Sequence, residues 1–261
     1  MARVFGHFGE LVQGRIGPSG PVGLITLPCP VLWADAVQVP CTGFSLYQKL
    51  PIVPHAKLHS LLKSLNLPAS GKFRVTMTMP AGGGAGASTA ALMALLLAAG
   101  ACDRRAIIAA VLAEECASDP LLFDAPERLL WASRQGKVLA HLPPLPRFEV
   151  IGGFWGSGQR TDPNDHNFPD ISDLVAEWPG TDLAKMAHLV SQSALRTLAL
   201  RGPQNDPTEV LARNLGALGF NIAHTGTARG LIFAPGTVPK TAATALRAVG
   251  FSRITQFRSG G

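Results

Sequence analysis

Residues 79–100 of the chain read MPAGGGAGASTAALMALLLAAG, a glycine-rich segment followed directly by a run of alanine, leucine and methionine. Glycines let a backbone approach a ligand closely, and the first turn of a helix presents free N–H groups with a partial positive charge. A loop of this kind that opens a buried helix is suited to holding an anion, with phosphate as the natural ligand. We expect the rest of the chain to be arranged around this loop.

The composition of the chain is that of a compact globular protein. Of its 261 residues, 47% are hydrophobic and only 15% are charged, which argues against extensive disorder. The net charge of +6 comes from scattered basic residues. That charge is compatible with an anionic small substrate or with solubility alone. Because aromatic residues are few and no basic stripe occurs, we expect no nucleic-acid partner.

Cysteine usage and hydropathy predict a cytoplasmic protein. The four cysteines form no CxxC pair and are interpreted as reduced thiols. The N-terminus lacks the continuous apolar run of a secretory signal. One apolar segment, residues 85–101, approaches membrane-spanning length, but it contains Ser88 and Thr89 and lacks basic and aromatic flanks. It therefore predicts a buried helix, and no membrane partner is expected.

The spacing of apolar residues in the first half predicts both strands and helices. Residues 3–47 are divided by glycines and prolines into short strands, including 22–28 and 31–39. Residues 72–79 alternate between apolar and polar side chains, as a half-buried strand does. Helical spacing occurs at residues 54–65, 87–99 and 103–116. Asp103 is placed to cap the last of these helices.

A proline-rich segment, LPPLP at residues 142–146, is the best linker candidate in the chain. We place a boundary there between one domain of residues 1–145 and another of residues 146–261. In the second half, the predicted order of elements is β, α, α, β, β, α, β. The segment at 219–236 supplies the strand, tight turn and strand in the middle of this order. Such an order predicts a small sheet covered on one face by helices, and an α+β protein overall.

Several kinds of loop compete for residues 80–89. A Walker A loop needs a lysine after its last glycine, but Gly86 is followed by Ala87, Ser88 and Thr89. A dinucleotide-binding fingerprint needs a following strand that ends in an acidic residue, but here one predicted helix leads into another. A tight turn that only packs a helix of small residues is the interpretation without a ligand.

A family resemblance provides the remaining interpretation. PAGGGAGASTAA (80–91) resembles the phosphate-binding motif Pro-x-x-x-Gly-Leu-Gly-Ser-Ser-Ala-Ala of the GHMP kinases. The motif is matched by Pro80, Gly84, Gly86 and Ser88, and by neighbouring alanines at its end. Ala85 replaces the leucine of the motif and Ala87 replaces its first serine, which helps to hold Mg²⁺. Ser88, with Thr89 beside it, can still supply a hydroxyl.

Two further motifs support the resemblance and narrow it. GELVQG (9–14) and AHTGTARG (223–230) resemble elements of one branch, the bacterial L-threonine kinases of cobalamin biosynthesis. The three motifs occur in order across nearly the whole chain. The resemblance implies a two-domain α+β GHMP kinase fold. Its N-terminal domain would be like the second domain of ribosomal protein S5, its C-terminal domain would be ferredoxin-like, and ATP would lie between them.

The resemblance also implies roles in binding ATP, Mg²⁺ and substrate. The loop would bind ATP through Pro80, Gly82, Gly83, Gly84, Ala85, Gly86, Ala87, Ser88 and Thr89. Magnesium would be held by Ser88 and Glu115, with Glu114 as a solvated neighbour. The substrate would be bound by Glu10 and Gln13, with a structural contact to a backbone N–H as the alternative role of Glu10. Thr225, Gly226 and Thr227 would close over the phosphates or the substrate.

Asp119 is the candidate catalytic residue. The resemblance implies that it orients and deprotonates the substrate hydroxyl, whereas a turn aspartate before Pro120 is the alternative. His224 is expected to pack in a strand and not to act as a base. The polar loop at 159–161 is expected to be solvated, with contact to the substrate as its alternative role.

The activity that follows from the resemblance is that of an ATP- and Mg²⁺-dependent kinase for a small hydroxy amino acid. L-Threonine would be converted to O-phospho-L-threonine. One alternative is a GHMP kinase for another small alcohol, such as homoserine. Another is a non-catalytic nucleotide-binding or protein-interaction relative, which Ala85 and Ala87 favour and which Asp119, Glu10 and Ser88 oppose. ATP and the hydroxy amino acid are the expected partners, and a homodimer is the assembly to test.

Overall fold

The computed structural model describes residues 1–158, 162, 165 and 167–261. Within these ranges, ten β-strands form two sheets, and seven α-helices pack against them. The chain is therefore a mixed α+β protein, as its pattern of apolar residues predicted.

The first sheet is built from six strands of the N-terminal half. They are β1 (Ala2–Arg15), β2 (Val22–Val39), β3 (Phe44–Gln48), β4 (Gly71–Met77), β5 (Leu129–Ala132) and β6 (Lys137–His141). The strand order is β3-β4-β2-β5-β6, with β1 paired to β2, and β3–β4 is the parallel pair. β2 is one long strand where the sequence predicted two. The predicted break at Pro28 and Pro30 coincides with an irregular part of the β1–β2 ladder, where the register shifts between Phe5 and Gly6.

Three helices of this half were predicted by their apolar spacing. They are α1 (His55–Ser64), α2 (Ala87–Ala98) and α3 (Arg104–Glu115), and a short 3₁₀ turn follows at Pro126–Arg128. Asp103 caps α3 as expected, because its carboxylate accepts hydrogen bonds from the N–H groups of Arg105 and Ala106 at 2.8 and 3.3 Å. α2 is buried along most of its length, as its alanine- and leucine-rich sequence predicts.

The second sheet is built from four strands of the C-terminal half. They are β7 (Phe148–Phe154), β8 (Gly219–Ile222), β9 (Ala228–Phe233) and β10 (Ser252–Ser259). The order is β10-β7-β9-β8, and every pair is antiparallel. Numbered within this half, the order is 4-1-3-2, as in a ferredoxin-like sheet. The helices are α4 (Ser172–Glu177), α5 (Leu183–Arg201), α6 (Thr208–Asn214) and α7 (Ala242–Ala248), of which the short α4 was not predicted.

Both sheets contribute to one large hydrophobic core. Phe8 of β1 is fully buried, and its ring centroid lies 5.5 Å from that of Phe154 and 5.6 Å from that of Phe257. A side chain of β1 thus packs against β7 and β10 of the second sheet. Because the core is shared, the domain boundary between residues 145 and 146 stays a prediction.

No helix in the described ranges combines the length and the apolar character needed to cross a membrane. The most apolar of the long helices, α2, has 12 residues, whereas a membrane span needs about 20.

Candidate functional site

The glycine-rich loop connects β4 to α2 in a backbone conformation that requires glycine. Gly82, Gly84 and Gly86 have φ angles of +68°, +69° and +70°. Residues other than glycine rarely adopt φ angles in this left-handed region. Gly86 precedes the first residue of α2, so the loop leads directly to the free N–H groups of the first helical turn.

The carbonyl groups of the loop are bound by two distant parts of the chain. The Ala85 and Gly84 carbonyls accept hydrogen bonds from the backbone N–H groups of His7 and Gly9 in β1, both at 3.2 Å. The Gly83 carbonyl accepts from Thr227 at 3.1 Å and from Ala228 at 2.9 Å. In a trans peptide, the N–H points away from the C=O of the same peptide unit. The N–H groups of Gly84, Ala85 and Gly86 belong to these three peptide units. They therefore point away from the segments that bind the carbonyls.

A cavity of about 300 Å³ lies against the loop. Residues 81–89 form one wall, and α1, the end of α3, β1 and the segment after β8 form the others. The polar and aromatic side chains that line it outside the loop are His7, Glu10, Gln13, Lys57, Ser118, Glu115, Asp119, Ser133, Arg134, Phe168, His224 and Thr225. The structure thus brings the three sequence motifs to a single cavity, together with the candidate base and the candidate metal ligands.

Ser88 and Glu115 form one polar cluster in this cavity. The Ser88 hydroxyl donates a hydrogen bond of 2.7 Å to Glu115 Oε2. The Lys57 ammonium lies 2.5 Å from Glu115 Oε1 and donates to the Glu114 carbonyl at 3.3 Å. A hydroxyl and a carboxylate are the oxygen ligands that Mg²⁺ prefers, so this donor set fits the ion. Sequence reasoning missed Lys57, because its partners lie more than 50 residues away and no motif contains it.

Asp119 belongs to a second cluster with His7 and Glu10. His7 Nε2 lies 3.3 Å from Asp119 Oδ2, and His7 Nδ1 lies 3.7 Å from Glu10 Oε1. The side chains of His7 and Glu10 are only 4% and 9% exposed. One ligand atom from each of the three residues lies within 4.8 Å of the others. The cluster is a compact arrangement of two carboxylates around one imidazole.

A bulge in β1 explains how His7 and Glu10 meet. Residues three apart face opposite sides of a regular strand. Here the ladder to β2 shifts register between His7 and Glu10, and Gly9 between them has a φ of +70°. The bulge turns both side chains toward the cavity. A glycine inside a predicted strand was the signal that could have identified His7, which sequence reasoning missed.

The charges in this cluster shift two pKa values. Burial by itself lowers the pKa of His7, but the carboxylates of Asp119 and Glu10 outweigh it and raise that pKa to about 9. Burial raises the pKa of Glu10 to about 7, although His7 and the N–H of His224 oppose the shift. At neutral pH, His7 is therefore an imidazolium that holds the Asp119 carboxylate.

The raised pKa of His7 makes stability depend on pH. Between pH 6.5 and about 9, folded His7 keeps a proton that the unfolded chain releases, so the free energy of unfolding falls as pH rises. We expect the thermal midpoint to fall by about 5–10 °C across this window. Thermal unfolding at several pH values should show a smaller decrease for His7→Gln. The exposed His141→Gln is the control, and equal slopes in all three proteins would contradict the assignment.

His224 lies beyond the end of β8 and lines the cavity, whereas the sequence predicted a packed strand residue. Its ring stacks on Phe168, with the centroids 4.2 Å apart and the planes 5° from parallel. Burial, together with the positive charges of Arg201 and Arg134, lowers the pKa of His224 to about 3. The imidazole is therefore neutral, in contrast to that of His7.

Not every predicted substrate residue lines the cavity. Thr225 does, whereas Gly226 and Thr227 pack against the loop. A Cβ added at Gly226 would lie 2.4 Å from the backbone nitrogen of Gly84. The Gly226 carbonyl accepts a hydrogen bond of 3.1 Å from Arg229, which is buried and also bound to Asp206 at 2.8 Å. The turn supports the loop from outside the cavity. The polar loop at 159–161 lies outside the described residues.

Several solved structures are similar to this chain over nearly its whole length. A homoserine kinase from Cytophaga hutchinsonii superposes with a TM-score of 0.57 at 14% identity, covering 99% of this chain and 94% of that one. A mevalonate kinase from methicillin-resistant Staphylococcus aureus gives 0.57 at 14% identity, covering 100% and 98%. A mevalonate pyrophosphate decarboxylase from Streptococcus pyogenes gives 0.58 at 13% identity, covering 99% and 95%. Comparisons with protein-family models and with curated proteins find no match.

These likenesses show the fold. The chain has the two-sheet α+β fold of the GHMP kinases, as the three sequence motifs implied. One of the similar structures is a decarboxylase, so the fold alone does not assign a reaction. The chemistry of this chain depends on the side chains in the cavity.

Proposed function

We propose that this protein is an ATP-dependent kinase that phosphorylates the hydroxyl of a small hydroxy amino acid, with L-threonine as the first candidate. The observation that carries the proposal is the shared cavity. The glycine-rich loop forms one wall, the Ser88–Glu115 pair joins this wall to the end of α3, and the His7–Asp119 pair lies on another wall. Phosphoryl transfer needs these three functions, which are an anion cradle, a site for positive charge and a base close to the acceptor.

The loop and the first turn of α2 would bind the phosphates of ATP. Their N–H groups supply fixed donors at the end of a helix, where a negative charge is stabilised. Ser88 and Glu115 would hold Mg²⁺, which neutralises phosphate charge when it is bound. Lys57 beside Glu115 adds a permanent positive charge at the same wall. Together, these groups compensate for the missing hydroxyl at Ala87.

Asp119 would act as the base. Its carboxylate accepts the proton of the substrate hydroxyl while the oxygen forms a bond to the γ-phosphorus. The bond from that phosphorus to the oxygen of the β-phosphate breaks, and ADP leaves with this oxygen. The His7 imidazolium, 3.3 Å from Asp119, orients the carboxylate before the transfer.

The substrate assignment combines the cavity with the motif resemblance. A cavity of about 300 Å³ that also admits phosphates leaves room for a small acceptor only. Glu10, Gln13 and Thr225 line it and are the proposed contacts to that acceptor. The L-threonine assignment rests on GELVQG and AHTGTARG, whereas homoserine is supported by a similar structure that is a homoserine kinase.

An ADP-release assay tests the proposed function. Purified protein is incubated with MgATP and, separately, with L-threonine, L-serine, L-homoserine and simple sugars. We expect turnover with a hydroxy amino acid and the highest kcat/KM with L-threonine. A best substrate of L-homoserine would replace the threonine assignment. Tight ATP binding without turnover on any alcohol would favour a non-catalytic relative.

The magnesium assignment predicts a difference between two neighbouring glutamates. Glu115→Gln weakens a carboxylate ligand beside Ser88, so we expect the Mg²⁺ concentration for half-maximal activity to rise about tenfold or more. Glu114→Gln is the matched control, because its carboxylate does not line the cavity within the described structure. Magnesium titrations at fixed ATP give the comparison, and direct Mn²⁺ binding provides a second readout. Equal shifts in both variants would exclude Glu115 as the ligand.

A further inference from the structure

Part of the cavity wall consists of hydrogen-bond acceptors that lack donors. Gln13 Oε1 and His224 Nε2 are buried and have no hydrogen-bond partner among the residues that the structure describes. His224 is only 5% exposed. Buried polar atoms are nearly always paired, so two unpaired atoms in one cavity indicate that a ligand completes them. The carboxylate of Glu10 lines the same cavity.

The contacts around His224 favour one of its two neutral tautomers. The Thr197 hydroxyl donates to the Ser193 carbonyl at 3.1 Å, so its lone pairs are left to face His224 Nδ1 at 3.5 Å. Nδ1 then carries the hydrogen, and Nε2 presents a lone pair. Stacking on Phe168 fixes the plane of the ring. His224 therefore offers the ligand an acceptor.

The three acceptors belong to one connected patch. The backbone N–H of His224 donates to Glu10 Oε2 at 3.4 Å. The backbone N–H of Gln13 donates to the Ser193 hydroxyl at 3.1 Å, and Ser193 lies one helical turn before Thr197. The carboxylate, the amide oxygen and the imidazole nitrogen are thus held on neighbouring elements, with one negative charge among them when Glu10 is ionised.

We infer that Glu10, Gln13 and His224 form a site for the primary ammonium group of the substrate. The inference rests on the proposed function and narrows its substrates to small amino alcohols. An ammonium has three N–H donors and one positive charge, which match three acceptors and one carboxylate. A carboxylate or phosphate oxygen placed against Gln13 Oε1, His224 Nε2 and the Glu10 carboxylate would face lone pairs at all three. His7 links Glu10 to Asp119, so the ammonium and the reacting hydroxyl lie close together, as they do in a short amino alcohol.

Calorimetric titration in the presence of ADP tests this site with three probes. L-Threonine has an amine, a carboxylate and a hydroxyl, whereas 1-amino-2-propanol lacks the carboxylate and 3-hydroxybutyrate lacks the amine. We expect both amines to bind and 3-hydroxybutyrate to bind at least about tenfold more weakly, since a charged hydrogen-bonded group is lost. Equal affinity for 1-amino-2-propanol and 3-hydroxybutyrate overturns the inference, as does failure of both amines to bind.

Two variants remove one acceptor each and retain similar shape. Gln13→Leu and His224→Phe should each weaken amine binding about tenfold or more while leaving ATP affinity unchanged. His188→Phe, at an exposed position of α5, is the control. Unchanged amine affinity in both variants, with thermal midpoints near that of the wild type, contradicts the site.

The outcomes for the site and for the proposed function are separable. ADP release with hydroxy compounds that lack an amine would leave the kinase assignment standing and overturn the ammonium site. Amine binding that depends on Gln13 and His224, without ATP turnover, would support the site and contradict the kinase assignment.

Discussion

Asp119→Asn is expected to lower kcat for ADP release about a thousandfold, because the amide cannot accept the proton of the substrate hydroxyl. The variant keeps the shape of the side chain and its position next to His7. ATP affinity should change little, since the loop and the Ser88–Glu115 pair are untouched. Steady-state kinetics with L-threonine and equilibrium binding of ATP measure the two quantities.

The matched control for this variant is Asp124→Asn. Asp124 lies five residues further along the chain, is exposed and is not among the described residues that line the cavity. Its turnover should equal that of the wild type. If Asp119→Asn also turns over at the wild-type rate, Asp119 is a turn residue before Pro120 and another group takes the proton.

Gly226→Ala is expected to weaken ATP binding about tenfold to a hundredfold, although Gly226 does not line the cavity. The added methyl group would lie 2.4 Å from the Gly84 nitrogen and 2.6 Å from the Gly83 carbonyl carbon. Both are backbone atoms that can move only with the loop. Overpacking of this kind costs about 1–3 kcal/mol, and we expect this cost to destabilise the loop conformation that is proposed to bind phosphate. Nucleotide titration gives the affinity, and thermal unfolding gives the stability.

Gly236→Ala separates this contact from backbone strain. Gly226 has a φ of +121° and Gly236 a φ of +77°, so alanine is strained at both positions. At Gly236, however, no atom lies within 4 Å of the added methyl group. We expect Gly236→Ala to lose some stability and to bind ATP normally. Similar ATP affinities in the two variants would show that the turn does not set the shape of the loop.

The sequence predicted most elements of the fold because their apolar spacing is regular. The strand at β4, the helices α1, α2 and α3, and, apart from the short α4, the C-terminal order of strands and helices follow from local periodicity. The glycine-rich loop was identified because its glycines, three of which have positive φ angles, are close together in sequence. Asp103 at the start of α3 shows that capping is equally local.

The parts of the site that the sequence did not predict depend on contacts between residues that are distant in sequence. Lys57 is one polar residue of an amphipathic helix until Glu115 is placed beside it. In a regular strand His7 and Glu10 would face opposite sides, and the Gly9 bulge brings them to the same side. The role of Gly226 also changed. Gly226 was expected to close over the phosphates or the substrate. The turn that contains it packs on Gly83 and Gly84, so Gly226 lies behind the loop.

The hydrogen bonds from Thr227 and Ala228 to the Gly83 carbonyl have a consequence for folding during synthesis. A ribosome synthesises the glycine-rich loop almost 150 residues before it reaches these donors. The growing chain can form α2 and the first sheet, but the loop lacks one of its two supports until the last sheet has emerged. We therefore expect nucleotide to bind only after the second sheet has formed, so that ATP would stabilise a chain with both sheets and not its nascent N-terminal half.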